Sequence, residues 1–201
     1  MRGFFITTVR GKEDKAKEEL SGRLKDIFIQ SNKVQKDDGY DIKKFIKDEL
    51  LFYSKKLVFT VETYTCCMLI SLKEDISCDI LAVLEEKYKY ISNLHYMEEI
   101  FLLNKNYIEV LKNNLLQVLK KTFDFNFKRS EIPFKINYNS RCSNANKNDV
   151  YSAVFDTLNE FCREKWDSEN AFKVNLNNPD VIIMFQIIKK YCGFSVIFSK
   201  K

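Results

Sequence analysis

Residues 134–141 read FKINYNSR, and residues 173–183 read KVNLNNPDVII. Apolar and polar side chains alternate over Phe134–Tyr138, which predicts a half-buried strand. The second segment predicts a short strand at Phe172–Leu176, followed by a turn at residues 177–180, because Asn-Asn-Pro-Asp is typical turn chemistry. We interpret Asn178 and Pro179 as residues that position the strands after them rather than as ligand contacts.

The elements around these segments complete one α/β unit. A polar loop is expected at residues 141–148, a helix from about 149 to 165, and two closing strands at Val181–Ile188 and Phe194–Phe198. Another helix is expected from about residue 105 to 121. The apolar positions at helical spacing are Val150, Val154, Leu158 and Phe161 in one helix and Ile108, Leu111, Leu115, Val118 and Leu119 in the other.

The first half of the chain predicts a second unit. Its segments follow the order strand, helix, two strands, helix, strand, which is typical of a ferredoxin-like α/β sandwich. We therefore predict an α/β (α+β) chain with two domains, an N-terminal ferredoxin-like domain at residues 1–103 packed on a C-terminal domain at residues 104–201. The expected segments are Gly3–Val9, Glu13–Ile29, a loop at Gln30–Asp41, Leu57–Val61, Thr65–Ser71, Ile80–Lys89 and Asn93–Leu103.

The positive charge is concentrated in the second half. The chain has 33 Lys and Arg, 28 Asp and Glu and a net charge of +5. Nine basic residues lie between Lys105 and Lys147, against three acidic ones. This concentration fits either a surface that binds a polyanion, since phosphate contacts supply most of the affinity for nucleic acid, or the solvated surface of a lysine-rich protein. The nine are Lys105, Lys112, Lys120, Lys121, Lys128, Arg129, Lys135, Arg141 and Lys147.

The sequence offers little for catalysis. The 6 cysteines show no metal-ligand spacing, and His95 is the single histidine. The 5 glycines do not cluster into a phosphate-binding loop. The acidic pairs Asp37/Asp38 and Glu98/Glu99 are more typical of solvated surfaces than of acid–base sites. We expect no catalytic residue, metal or cofactor, and an intracellular protein without a membrane span or signal segment.

The spacing of the two opening segments resembles the THUMP domain, an RNA-binding module of tRNA-modification enzymes. The resemblance rests on Phe134–Arg141, the helix after it, and Lys173–Ile183. More weakly, the segments before Phe134 make the whole chain similar to the stand-alone eukaryotic THUMP proteins that serve as adaptors for cytidine acetylation in tRNA. The link between the first helix and the second strand is shorter here than the acidic insertion that these adaptors often carry.

Physical chemistry points to the same region as the RNA contact. Arg141 offers a planar donor fork for phosphate, the start of the following helix offers unpaired backbone N–H groups, and Asn and Ser side chains bond ribose or phosphate without requiring a base sequence. For each side chain the alternative is a solvated loop residue. The candidate RNA-binding residues are Lys135, Asn139, Ser140, Arg141, Asn144, Asn146, Lys147, Lys189 and Lys190.

The resemblance implies a function and its partners. The chain would bind tRNA, without a small-molecule substrate of its own, and present it to a separate RNA cytidine acetyltransferase that forms N4-acetylcytidine in the D-arm of serine and leucine tRNAs. It would act in the nucleus, the nucleolus or the cytoplasm. Two alternatives stay open: an RNA-binding subunit of a tRNA methylation or thiolation complex, and a small tRNA-modifying enzyme.

Overall fold

The computed structural model describes residues 1–33, 59–72, 80–123, 131–167 and 171–199. The predicted loop beyond Lys33, residues 57 and 58 of the predicted second strand, the Asp37/Asp38 pair, Lys128 and Arg129 lie outside these ranges. The chain divides into two compact units, Met1–Met97 and Glu98–Lys201. The sequence placed this division after residue 103.

The first unit is a four-stranded antiparallel sheet with the strand order β2-β3-β1-β4. In the ranges described, a helix lies between β1 and β2 and another lies between β3 and β4, which is the ferredoxin-like arrangement that the sequence predicts. The elements are β1 (Arg2–Thr8), α1 (Glu13–Lys33), β2 (Phe59–Tyr64), β3 (Cys67–Leu72), α2 (Ile80–Glu85) and β4 (Ile91–Met97).

Alternating side chains of β1 and β3 build the core of this unit. Phe4 and Ile6 of β1 lie with Met68 and Ile70 of β3 against the apolar stripe of α1. That stripe is the predicted one, Ala16, Leu20, Leu24 and Ile27. Helix α1 continues to Lys33, so the first residues of the predicted loop are helical.

The second unit is a five-stranded mixed sheet with the order β5-β9-β8-β6-β7. Strand β6 is parallel to both of its neighbours, and the other pairs are antiparallel. The elements are β5 (Glu99–Leu102), α3 (Tyr107–Thr122), β6 (Ile132–Arg141), α4 (Lys147–Trp166), β7 (Phe172–Val174), β8 (Val181–Ile188) and β9 (Tyr191–Phe198). Both helices bury the apolar stripes predicted from the sequence, except that Ile108 of α3 is only partly buried.

One predicted strand, Asn93–Leu103, is wrong because it is two strands of different sheets. Strand β4 ends at Met97, which pairs with Gly3 of β1. Strand β5 begins at Glu99, which pairs with Phe194 of β9. An uninterrupted apolar and aromatic pattern does not show where the pairing partner changes, so periodicity alone merged the two.

The Asn-Asn-Pro-Asp segment forms the predicted turn. The Asn175 side-chain oxygen accepts hydrogen bonds from the backbone N–H groups of Asn177 (3.1 Å) and Asn178 (2.9 Å). The Asp180 N–H then donates to the carbonyl of Pro133 at 2.7 Å, which aligns β8 with β6. Residues 175–180 therefore set the register of the sheet that carries the candidate site.

Candidate functional site

Strand β6 carries four of the candidate residues on two different faces. The even-numbered side chains of this strand, from Ile132 to Tyr138, pack into the core. Alternation along a strand therefore places Lys135, Asn139 and Arg141 together on the opposite face. Ser140 shares the face of Tyr138 but is exposed, as are Asn139 and Arg141.

An open groove of about 790 Å³ lies at the end of the sheet where β6 and β8 finish. Three segments enclose it: residues 103–107 at the start of α3, the loop at residues 142–145, and the turn of Lys189 and Lys190 between β8 and β9. Lys105, Lys189 and Lys190 are exposed along it, and no carboxylate is among the described residues that line it. The charged side chains among these lining residues are therefore all positive.

Backbone hydrogen bonds hold these three segments together. The Lys189 N–H donates to the carbonyl of Arg141 at 3.0 Å, and the Leu103 N–H donates to the carbonyl of Lys190 at 2.7 Å. The basic turn is therefore fixed to the end of β6 on one side and to the entrance of α3 on the other.

Two residues of the groove have left-handed backbone conformations. The φ angle is +51° at Cys142 and +48° at Lys189. Such a conformation costs a non-glycine residue roughly 1–2 kcal/mol. At Lys189 the hydrogen bond to Arg141 offsets part of this cost. These two strained residues let the chain turn sharply beside the groove.

The loop at residues 142–145 is held by neutral polar groups. The Tyr138 hydroxyl donates to the carbonyl of Ala145 at 3.1 Å, and the Ala145 N–H donates to the Ser143 hydroxyl at 3.2 Å. Burial raises the pKa of Tyr138, so this hydroxyl keeps its proton as a donor. Asn144 of this loop lines the groove.

The helix after this loop begins two residues earlier than predicted, at Lys147 rather than Asp149. Asn146 is its N-cap, and its side-chain oxygen accepts the Asn148 N–H at 2.9 Å. The side-chain oxygen of Asn146 thus caps the helix. Its side-chain amide nitrogen takes no part in that bond and can donate to a ligand. Serine, threonine, aspartate and asparagine are the common N-caps, so the signal was present in the sequence.

Two of the candidate lysines lie over aromatic rings. The Lys147 ammonium is 5.2 Å from the centre of the Tyr151 ring, and the Lys190 ammonium is 5.3 Å from that of Tyr191. Contacts of this kind restrict the side chain while leaving its N–H groups available to an anion.

The structure separates the basic stretch into groups. Lys112 and Lys120 of α3 form ion pairs with Asp156 (2.7 Å) and Glu164 (2.5 Å) of α4. These two lysines therefore bridge the helices. Lys135 does not line the groove, since it lies six positions before Arg141 on β6, about 20 Å along a strand.

Sequence reasoning omitted Lys105 and Tyr107 from the candidate set, although both line the groove. They lie more than thirty residues before Arg141 in the chain. They reach the groove because β5 pairs with β9 and the chain then enters α3 beside the basic turn. The charge of Lys105 was visible in the sequence, but the strand order that places it was not.

His95 is stacked on Phe5 with ring centres 6.4 Å apart, and burial lowers its pKa. In the described ranges, no three His, Cys, Asp or Glu side chains are grouped so that they could hold a metal ion. None of the helices described is both long and apolar enough to cross a membrane.

The fold and the groove define the second unit as an α/β module with a basic, carboxylate-free end. Residues 105–197 match the family model of the THUMP domain. The second unit of this chain is therefore a THUMP domain, as the sequence segments indicated.

Several solved structures are similar to the whole chain. TrmN from Thermus thermophilus is 13% identical with a TM-score of 0.51, covering 100% of this chain and 46% of its own. PH1313 from Pyrococcus horikoshii Ot3 is 11% identical with a TM-score of 0.56, covering 100% of this chain and 55% of its own. At these identities the likeness shows the fold.

The chain spans about half the length of these two solved proteins. A further similar structure, a 4-thiouridine synthetase in complex with RNA and ATP, is 14% identical with a TM-score of 0.48, covering 98% of this chain and 42% of its own. Comparison with curated protein sequences gives no match.

Proposed function

We propose that the chain binds tRNA through the groove at the end of the THUMP sheet. The observation that carries this proposal is the groove itself, where Lys105, Lys189 and Lys190 meet without a lining carboxylate. Arg141 lies at the end of the adjoining strand. Exposed ammonium and guanidinium groups in a fixed backbone frame suit phosphate, while Asn144 suits ribose.

The role that fits these groups is placement of RNA rather than chemistry on it. Lysine, arginine and asparagine bind and orient a phosphate backbone by shape and charge. The chain is then a non-catalytic adaptor that presents tRNA to a separate RNA cytidine acetyltransferase, for N4-acetylcytidine formation in the D-arm of serine and leucine tRNAs. The sequence resemblance to adaptors of this kind, which is weaker before Phe134, supports this assignment. The location we propose is inside the cell, in the nucleus, the nucleolus or the cytoplasm.

The first experiment measures tRNA binding. The purified chain is titrated with total tRNA across a salt series, beside Arg141→Ala and a matched control, Arg163→Ala, which removes an exposed arginine near the other end of α4. Binding should weaken as salt rises. In the Arg141 variant, the slope of the logarithm of affinity against the logarithm of salt concentration should be less steep, by roughly one for each lost phosphate contact. Absence of binding at low salt, or equal loss in both variants, contradicts the proposal.

A second experiment tests the adaptor role. Purified RNA cytidine acetyltransferase is supplied with acetyl-CoA, ATP and tRNA, with and without this chain. Acetylation should require both proteins, and the chain alone should give none. Turnover by the chain alone contradicts the adaptor role. Co-purification with a methylation or thiolation enzyme instead would assign the same RNA-binding unit to another complex.

A further inference from the structure

Within the part of the chain that the structure describes, the strand that ends at the groove also has an open backbone edge. Strand β7 pairs with β6 only over Ile132–Phe134. The Asn175 N–H donates to the carbonyl of Phe134, whereas the Asp180 N–H donates to that of Pro133 on the β8 side. Even-numbered residues of β6 therefore direct their backbone N–H and C=O groups towards β7, and odd-numbered residues direct theirs towards β8.

Beyond the end of β7 this pattern leaves three residues facing outwards. Among the described residues, the backbone groups of Ile136, Tyr138 and Ser140 on that side have no strand partner. The edge from Ile136 to Ser140 is about 13 Å long. Natural edges are usually blocked by a charged residue, a proline or a bulge, and none of these three residues is charged or a proline.

Apolar side chains lie beside this open edge. A cleft of about 80 Å³ has a lining that includes Ile136, Tyr151, Phe155 and Leu176. The Phe155 ring packs on Phe134 with centres 5.8 Å apart and is 39% exposed, while Leu176 is 69% exposed. The cleft has room for one aliphatic side chain of a bound segment, next to backbone groups that a strand would pair.

Two lysines lie at or beside the cleft. Lys135 lines it, and Lys147 lies over the neighbouring Tyr151 ring, which in turn packs on Tyr138 at 6.2 Å. No carboxylate is among the described lining residues. A bound segment with a carboxylate on the side of Tyr151 would complement Lys147.

We propose that the open edge of β6 binds an extended segment of a partner protein by adding a strand to the sheet. The segment carries apolar side chains at alternate positions, one of which enters the cleft, and an acidic residue that reaches Lys147. Main-chain hydrogen bonds supply affinity in this mode of recognition, and the alternating side chains supply specificity. An apolar cleft beside unpaired amides suits peptide better than RNA, which presents a phosphate at every nucleotide.

The surface also accounts for Lys135, which the sequence assigned to RNA and which the structure places at this cleft rather than at the groove. The inference does not depend on tRNA binding, because the cleft and the groove have no lining residue in common.

The test selects ligands without assuming their source. A phage library of random twelve-residue peptides is panned against the full chain, and the strongest peptide is synthesised and titrated by amide NMR. Expected ligands alternate apolar residues and carry an acid, and they protect the amides of Ile136, Tyr138 and Ser140 from exchange. A library that yields no ligand, or ligands that protect other amides, overturns the proposal.

Two variants and their control sharpen this test. Leu176→Asp should weaken the peptide at least tenfold, and Ser140→Pro, which removes an outward N–H, should do the same. The matched control Leu102→Asp changes a leucine that is 48% exposed on β5, at the other edge of the sheet, and should leave affinity unchanged. Leu176→Asp should keep tRNA affinity, which separates this result from a failure of the groove.

RNA is tested as an alternative occupant of the same edge. A ten-nucleotide single-stranded RNA is titrated into the full chain under identical conditions. The proposal expects no protection of the Ile136 and Tyr138 amides by this RNA. If the RNA protects them and no selected peptide does, the edge is an RNA site and the proposal is wrong.

Discussion

The two units hold their turns with different chemical groups. In the first unit carboxylates do so: Glu13 accepts the Cys66 N–H at 2.9 Å, and Glu19 accepts the N–H groups of Lys89 (2.6 Å) and Tyr90 (3.0 Å). At the groove of the second unit, the turns are held by asparagine, serine, tyrosine and backbone carbonyls. The difference matters because a carboxylate beside the groove would neutralise the lysines there and repel phosphate.

The same contrast exists within the second unit. Its carboxylates at Asp156 and Glu164 lie on α4, where they pair with Lys112 and Lys120. At the groove, Lys105 and Lys190 have no such partner among the lining residues. Net charge therefore says less about RNA binding than the place where each acid lies.

The largest expected effect tests this contrast directly. The double variant Lys105→Gln/Lys190→Gln should weaken tRNA binding about 30-fold, at roughly 1 kcal/mol for each lost phosphate contact. The matched double variant Lys112→Gln/Lys120→Gln removes the same charge from the paired helix face and should change affinity only a few-fold. Titrations at one fixed salt concentration measure both. Equal losses would show that total charge, not position, governs binding.

The next effect concerns the carboxylates of the first unit. Glu19→Ala removes the acceptor of two backbone N–H groups and should lower the free energy of unfolding by about 1–3 kcal/mol. Glu18→Ala makes the same change at the exposed neighbouring position, which carries no such bonds, and should have little effect. Urea unfolding followed by circular dichroism measures the difference, and tRNA affinity should be unchanged in both variants.

These comparisons also show what the sequence could and could not predict. The apolar stripes of α1, α3 and α4 and the turn at residues 175–180 follow from local spacing and turn chemistry, so they were predictable. The THUMP segments identified the second unit for the same reason. At Glu98 the chain passes from the sheet of the first unit to that of the second. This change depends on strand partners far apart in the chain, and local periodicity does not encode it.

The candidate site was predictable only in part. Of the predicted RNA-binding residues, Asn144, Lys189 and Lys190 are among those that line the groove, and Lys105, which was not in that set, enters it through the pairing of β5 with β9. The engagement of Lys112 and Lys120 by α4 depends on how two helices pack side by side. A count of basic residues cannot separate a paired lysine from an unpaired one.

A smaller effect separates the stability of the groove from its charge. Asn146→Ala removes the N-cap of α4 and should lower the free energy of unfolding by about 1 kcal/mol. Asn146→Asp keeps a capping oxygen, so stability should persist, but its negative charge next to the groove should weaken tRNA binding. Fluorescence of Trp166, the single tryptophan, follows unfolding because its ring packs on Phe161 at 5.1 Å. Asn144→Ala, which removes no N-cap, is the control for the stability measurement alone, because Asn144 lines the groove.

The smallest effect is an acid sensitivity that belongs to the first unit. His95 lies opposite Phe5 in the sheet, and burial lowers its pKa below the ordinary value of 6.5. The unfolded chain therefore binds a proton more readily than the folded chain, so this contribution to stability is complete above about pH 6.5 and is lost as pH falls towards the folded pKa. The effect is small because the ring is only half buried.

NMR titration of the His95 ring measures this pKa directly, and urea unfolding at pH 7.5 and pH 5.5 measures its consequence. His95→Gln should reduce the difference in stability between these two pH values. Because His95 lies on β4, the higher stability at pH 7.5 should be seen in the backbone amides of β1 and β4 rather than around Trp166. A pKa at or above 6.5 in the folded chain would show that burial does not govern this ring.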